Sequence, residues 1–328
     1  MLRNLLVAIA AVFACSTIAW AQEPQLTPEQ KAEIARLEKL LASLKPQRGA
    51  ILLPTAKARL DLGAGYYFLG PDDARKVLVE GWGNPPSAAD GVLGIVFPEG
   101  KTFVDDTWGA VVTYEKTFYV SDEDARTADY DQLMTDMRSG EDAANEERRK
   151  AGYEPIRLIG WAQPPAYDAA RHDLIWAQEL KFGEQTDHTL NYDVRHLGRT
   201  GVLSLNMIST MSHLAEVKAA AQALAKTAEF EAGSRYADYR EGDKKAEYGL
   251  AGLVAAGAGV AVAKKAGLIA VILAFAKKGF VFILAGGAAA FAWLRRRFGG
   301  KSKDLDLGAK PAATDDPSDA AQPNDRAS

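Results

Sequence analysis

The apolar residues of this chain gather at its two ends, and that distribution limits what the middle can fold into. Residues 1–21 carry Arg3, an apolar run over 5–18 and the triplet Ala19-Trp20-Ala21. A positive start, a short apolar core and a small-x-small triplet make a secretory signal peptide, with cleavage expected before Gln22. An uncleaved anchor is the competing reading. Cys15 is a poor site for lipid attachment, because the bulky Phe13 stands where a small residue is needed. It is also the chain's one cysteine, so cleavage leaves a mature protein without a thiol. That suits an oxidising compartment.

The other apolar end runs over 248–294 and is interrupted by Lys264-Lys265 and Lys277-Lys278. Its clean stretches are about sixteen, eleven and sixteen residues, and sixteen helical residues reach about 24 Å against a hydrocarbon core of about 30 Å. A lysine pair at mid-bilayer costs roughly 5–7 kcal/mol, so the pairs are expected to snorkel to an interface. Two topologies follow. A hairpin sends 249–263 in and 279–294 back. A single crossing ends at Trp293 and keeps Arg295-Arg296-Arg297 in the cytoplasm, which the positive-inside rule favours once the N-terminus is exported. Gly252, Ala256, Gly257 and Gly259 offer a small-residue face for another helix, although such residues are common in membrane helices generally. The tail, 299–328, is rich in Ala, Pro and Asp; it cannot bury a core and is expected to be disordered.

The division is therefore a signal peptide (1–21), an N-terminal amphipathic helix (22–46), one exported domain (47–235), a juxtamembrane linker (236–247), an anchor region (248–298) and an acidic tail (299–328). The overall hydrophobic share of 48% overstates the soluble core, since both ends contribute to it. A net charge of −4 excludes a strongly basic nucleic-acid binder, and one cysteine excludes a disulfide or cysteine-metal framework.

Thr27-Pro28-Glu29-Gln30 is a capping box, and Ile34, Leu37, Leu40, Leu41 and Leu44 form one stripe ended by Pro46. Two heptads are too few for a coiled coil, so docking on the domain is preferred to self-association. Strands are expected over 50–53, 58–62, 66–69 and 91–97, with 108–114 and 117–120 as a hairpin pair. Helices are expected over 71–80, from an N-cap at Ser121 to Gly140, over 141–151 and over 212–233. Strands over 156–161, 173–182, 190–197 and 202–207 complete an α+β pattern with a largely antiparallel sheet; the turn Gly198-Arg199-Thr200-Gly201 is the clearest hairpin.

Gly81-Trp82-Gly83-Asn84-Pro85-Pro86 is echoed by Gly160-Trp161-Ala162-Gln163-Pro164-Pro165, in an order that a duplication would explain. Double prolines force extended backbone beside a tryptophan. Trp82, Pro85, Pro86, Trp161, Pro164 and Pro165 are thus candidates for a groove that takes an extended chain, or for rigid loops over the core. Asn191-Tyr192-Asp193-Val194-Arg195 alternates, with Asn191, Asp193 and Arg195 on one face. A solvent-side ion pair is the plain reading; a polar groove of Asn191, Arg195 and Arg199 is the sharper one.

His172, His188, His196 and His213 match no metal spacing, and His188 and His196 share a strand face. The acids Asp122, Glu123, Asp124, Asp129 and Asp131 lack the glycine and bidentate glutamate of a calcium loop, and a helix N-terminus accounts for the first three. No G-x-S-x-G, S-x-x-K, Walker or dinucleotide-binding pattern occurs. No cofactor and no metal are expected.

Several of these motifs, taken together, resemble one bacterial family. They are Gly81-Trp82-Gly83-Asn84-Pro85-Pro86, Tyr119-Val120-Ser121-Asp122-Glu123-Asp124-Ala125, Asp129-Tyr130-Asp131, Gly160-Trp161-Ala162, Tyr167-Asp168, Trp176-Ala177, Leu190-Asn191-Tyr192 with Arg195, and Leu197-Gly198-Arg199. The family is the uncharacterised membrane-anchored proteins called domain of unknown function 2167. Where members commonly have Gly before Tyr-Val-Ser-Asp, this chain has Phe118. The resemblance implies an exported domain on a C-terminal anchor and brings no activity, ligand or catalytic residue.

The expectation is a periplasmic module on the inner membrane of a Gram-negative-type bacterium, with its tail in the cytoplasm, binding an envelope protein or polymer. Two alternatives stand beside it. One is a periplasmic hydrolase with carboxylate and histidine acid–base residues, such as His196 with Arg195, in a cleft of Asp193, Arg195, Asp122 and Asp124. The other is a subunit of an inner-membrane complex that works through its Gly/Ala helix.

Overall fold

A computed structural model describes residues 27–257. The expected signal peptide, the tail and the anchor region from residue 258 onward lie outside the described residues.

Helix α1 (Pro28–Ala42) starts as its capping residues require, with the Lys31 N–H donating to the Thr27 carbonyl at 3.0 Å. Leu37, Leu40 and Leu41 are buried against Val77 and Leu78, and Leu44 packs at the margin, so the helix docks on the domain. Only Ile34 of the stripe, 42% exposed, faces outward. Strands β1 (Ala50–Leu53), β2 (Ala58–Asp61) and β3 (Tyr66–Leu69) follow as expected. Helix α2 (Pro71–Arg75) widens into a π-helical turn over Lys76–Gly81, so that the Trp82 N–H reaches back to Val77 at 2.8 Å. A Cβ on Gly81 would lie 2.9 Å from the Phe103 ring, which is why a glycine ends this turn.

The remaining elements are β4 (Val92–Pro98), β5 (Gly109–Glu115), β6 (Tyr119–Ser121), α3 (Tyr130–Ser139), α4 (Glu141–Lys150), β7 (Ile156–Asp168), β8 (Asp173–Phe182), β9 (Thr189–Leu197), β10 (Val202–Thr210), α5 (Leu214–Ala225), β11 (Ala228–Phe230), β12 (Lys245–Gly249) and α6 (Leu250–Gly257). The main sheet has seven strands in the order β3-β4-β5-β10-β9-β8-β7, and every pairing in it is antiparallel. Strands β1, β2 and β11 form a small second sheet, and β6 and β12 pair in parallel. This is the expected α+β architecture.

Strand alternation gives the main sheet two buried faces. On one, Leu190, Tyr192, Val194, Leu203, Leu205 and Met207 meet Val217, Ala221 and Leu224 of α5. The other face has two apolar ends. Val111, Leu180 and Ile208 meet α1 and Met134 and Met137 of α3, while Leu174, Trp176, Leu197 and Val202 meet Leu250, Leu253 and Val254 of α6.

Several expectations are corrected. Strand β6 does not form a hairpin with β5. Phe118 adopts a left-handed φ of 65° that turns the chain away, and the Tyr119 N–H pairs with the Lys244 carbonyl at 3.1 Å. Helix α3 starts at Tyr130, not after Ser121, because Asp129 accepts the Gln132 N–H at 2.9 Å. Helix α5 ends at Ala225, where the Thr227 hydroxyl caps the Leu224 carbonyl at 2.7 Å; the chain then pairs with β2 as β11. The Trp-Pro echo has no common structure: Gly81-Trp82 closes the π-helical turn, whereas Gly160–Pro165 lies inside β7. The stretch 236–247, expected to be a linker, contains a 3-10 turn at Tyr236–Asp238 and most of β12.

Candidate functional site

The largest revision concerns the polar face of β9. Asn191, Asp193 and Arg195 do share one face, as alternation predicts, but that face is covered rather than bathed in water: they are 1%, 1% and 2% exposed. Helix α6 is the reason. It begins where the chain was expected to enter a membrane, yet Leu250, Leu253 and Val254 are fully buried against the sheet. Asp124 holds its N-terminus, its carboxylate accepting the N–H groups of Leu250 at 2.8 Å and Ala251 at 3.0 Å. Gly257, at the far end, lies on the polar row; a Cβ there would stand 2.8 Å from the Trp176 ring and 2.9 Å from Arg195 Nη2.

Beneath α6 the register aligns Trp176 of β8, Asp193 of β9 and Asn206 of β10 in one cross-strand row. Arg195 Nε donates to Asp193 Oδ1 at 3.2 Å, Nη1 donates to Glu115 Oε1 at 2.9 Å, and the guanidinium sits 5.4 Å from the centre of a Trp176 ring. The Asn206 amide donates to Asn191 Oδ1. Burial pushes the Asp193 carboxyl up, against the pull of Arg195. Burial also lowers Arg195, but Asp193 and Glu115 outweigh it and hold the guanidinium charged. Four buried atoms of this cluster have no hydrogen-bond partner: Trp176 Nε1, Asn191 Nδ2, Asp193 Oδ2 and Asn206 Oδ1. Two N–H donors and two oxygen acceptors on this face are thus covered without a hydrogen-bond partner, although the Asn206 amide also helps to pull the Asp193 carboxyl down. Trp176, Asn206 and Glu115 were missed in the sequence because they come from three other strands. The faint signal was Asn206 inside the apolar run Leu203–Ile208.

The other candidates do not join this row. Arg199 sits in the β9–β10 turn and clamps Asp243 with bonds of 2.7 and 2.8 Å, holding that carboxyl down at about 2. Trp82 is core, donating to the Phe103 carbonyl at 3.1 Å and lying edge-on to Phe97, with Pro85 half-buried and Pro86 exposed beside it. Trp161 lies on the edge strand β7, half-buried against the clusters that hold Trp82 and Trp176, and donates to the Tyr130 carbonyl at 3.2 Å; Pro164 is exposed and Pro165 half-buried.

The acids and histidines of the hydrolase alternative are likewise dispersed. Asp122 accepts from the Tyr167 hydroxyl at 2.8 Å, and His172 Nδ1 lies 3.0 Å from that hydroxyl. His196 pairs with the buried Asp173, which also accepts from Arg171 at 2.9 Å, on the face opposite Arg195. His188 pairs with Glu179, and His213 Nδ1 meets the hydroxyls of Ser209 and Thr210 at 3.0 and 3.3 Å. Among the described residues no group of three or more His, Cys, Asp or Glu is placed to hold a metal ion.

The family model described as "Protein of unknown function (DUF2167)" matches residues 45–288. The chain belongs to this family. No curated protein matches it. Among solved structures, the solution structure of cyanobacterial PsbP (CyanoP) from Synechocystis sp. PCC 6803 is similar at 11% identity over 58% of this chain and 94% of that one, with a TM-score of 0.31. A superposition that loose carries no argument about function. The DUF2167 match begins after α1 and runs past α6, so the covered row and its roof both fall within the family's span.

Proposed function

We propose that this protein is a membrane-tethered envelope module: a periplasmic α+β domain, anchored in the inner membrane of a Gram-negative-type bacterium, that binds a protein or polymer of the envelope. The docking of α6 favours a single crossing over a hairpin as the form of that tether. A hairpin anchor needs 249–263 as its first leg, and the residues of α6 within that leg are committed to the domain core. What remains, 258–263, reaches about 9 Å, far less than the roughly 30 Å of a hydrocarbon core. A single crossing after Gly257, ending near Trp293 with the tail in the cytoplasm, is therefore the topology of this proposal. Among the described residues no helix is long and apolar enough to cross a membrane.

For partner binding, support comes from the outer half of β7. Its first half is sealed: Asn145 pairs with both the N–H and the carbonyl of Ile156, Glu141 accepts the Leu158 N–H at 2.7 Å, and Arg138 donates to the carbonyls of Leu158 and Ile159. Beyond Gly160 the strand is bulged and stiffened by Pro164-Pro165 next to the half-buried Trp161, a rigid apolar rim. A photo-crosslinker at position 164, in cells, tests the binding role, and carbonate extraction with reporter fusions after residue 328 tests the tether. One crosslinked envelope partner, retention in the membrane and a cytoplasmic C-terminus are expected. A freely extracted protein would defeat the tether, and a crosslinker that captures nothing at 164 would defeat the binding rim.

A further inference from the structure

Helices α5 and α6 lie on opposite faces of the main sheet and rest on different chemistry. The contact beneath α5 is apolar: Val217, Ala221 and Leu224 lie on Leu190, the Tyr192 ring and Val194. Helix α6 has only Leu250, Leu253 and Val254 as large buried side chains, all toward its N-terminal half. Its far end lies on Trp176 and the Arg195–Asp193–Glu115 charges, and the row beneath holds the four unpartnered atoms. Those atoms gain partners only if water or a polar ligand reaches them. Helix α6 is also too short to persist alone. Its docking rests on three side chains and the Asp124 cap, opposed by the ordering of its own backbone and by the unmet polar groups it covers.

We propose that α6 is a displaceable cover over a buried polar row. It lifts as a unit while the seven-stranded sheet stays folded. The uncovered row of Trp176, Asp193 and Asn206, with Asn191 and Arg195, then meets water, and its unpartnered atoms gain hydrogen bonds. The chain continues directly from Gly257, so whatever engages the following segment acts on the row through α6. Asp124, in the loop before α3, sets the latch.

Amide hydrogen exchange on the full chain in detergent tests this, with Asp124→Ala loosening one end of α6 and Gly257→Ala wedging the other. The amides of Leu253, Val254 and Ala255 are expected to exchange at least about 100-fold faster than those of β9 and β10, through local opening. Loss of the cap in D124A should accelerate them a further three- to thirty-fold or about that. G257A should accelerate them as well, and in both variants the α6 amides should stay far ahead of those of β9 and β10, because weaker docking of α6 lowers the local and the global opening free energies together. If α6 and the strands exchange at one common rate in the native chain, α6 opens only with global unfolding and the proposal is overturned.

Discussion

Asp124 stands in an acidic run whose local spacing points to a helix just ahead of it, yet the N–H groups it accepts belong to a helix 126 and 127 residues further on. Side-chain chemistry was readable there; the partner was not, because a carboxylate accepts from any exposed helix N-terminus that tertiary structure brings within reach. Phe118 is a second single-residue case. Its φ of 65° is one that glycine adopts without strain, so a phenylalanine there carries a backbone cost of about 1–2 kcal/mol. Phe118→Gly should raise the unfolding free energy by up to about 1 kcal/mol in urea, once the lost contact with Lys244 is set against it. A destabilised variant would show that the left-handed turn carries no strain. Asp193 is a third. Removing it leaves Arg195 buried with Glu115 as its only charged partner, so Asp193→Ala should cost about 3–5 kcal/mol. A loss below about 1 kcal/mol would mean that Glu115 and water already satisfy the guanidinium. The β9 alternation itself was plain in the sequence. Whether that face met water was not, since the answer rests on α6, whose composition reads equally as membrane or core.

At the scale of elements, strand periodicity located β1, β2, β3, β4, β5, β8, β9 and β10 well, because each alternates or runs apolar between clear turns, but it found only the first half of β7, which runs on through Pro164-Pro165 to Asp168. The misread elements are those whose fate depends on long-range pairing. Strand β6 pairs with β12, and β11 with β2, partners separated by more than a hundred residues in the chain. Propensity continued α5 to Gly233 because Ala228 falls on its apolar side; the pairing with β2 prevailed. The edge strand β7 shows how a side chain can replace a neighbouring strand. Asn145 of α4 satisfies the Ile156 N–H at 2.7 Å and its carbonyl at 2.8 Å. Asn145→Ala should therefore cost about 2–3 kcal/mol and leave a strand edge able to pair with another chain. Equilibrium unfolding combined with light scattering checks both effects; an unchanged midpoint and a monodisperse monomer would show that the edge needs no such seal.

For the whole molecule, the packed domain reaches further along the chain than composition suggests. The apolar C-terminal stretch read as membrane from residue 248, but its first segment completes the core of the domain and roofs a charged row. Nothing in composition separates these roles, since Leu-Ala-Gly-Leu-Val-Ala-Ala-Gly suits a bilayer and a buried sheet face alike. Only the acceptor at Asp124 and the polar cluster facing Gly257 distinguish them, and both are long-range facts. The most direct test compares the unfolding free energy of the chain from residue 22 to 257 with that of the chain from 22 to 247. With α6 part of the domain, the shorter chain should lose about 2–4 kcal/mol as Leu174 and Trp176 become exposed, while the longer one folds cooperatively without any membrane. Equal stability of the two would contradict the placement of α6 in the core.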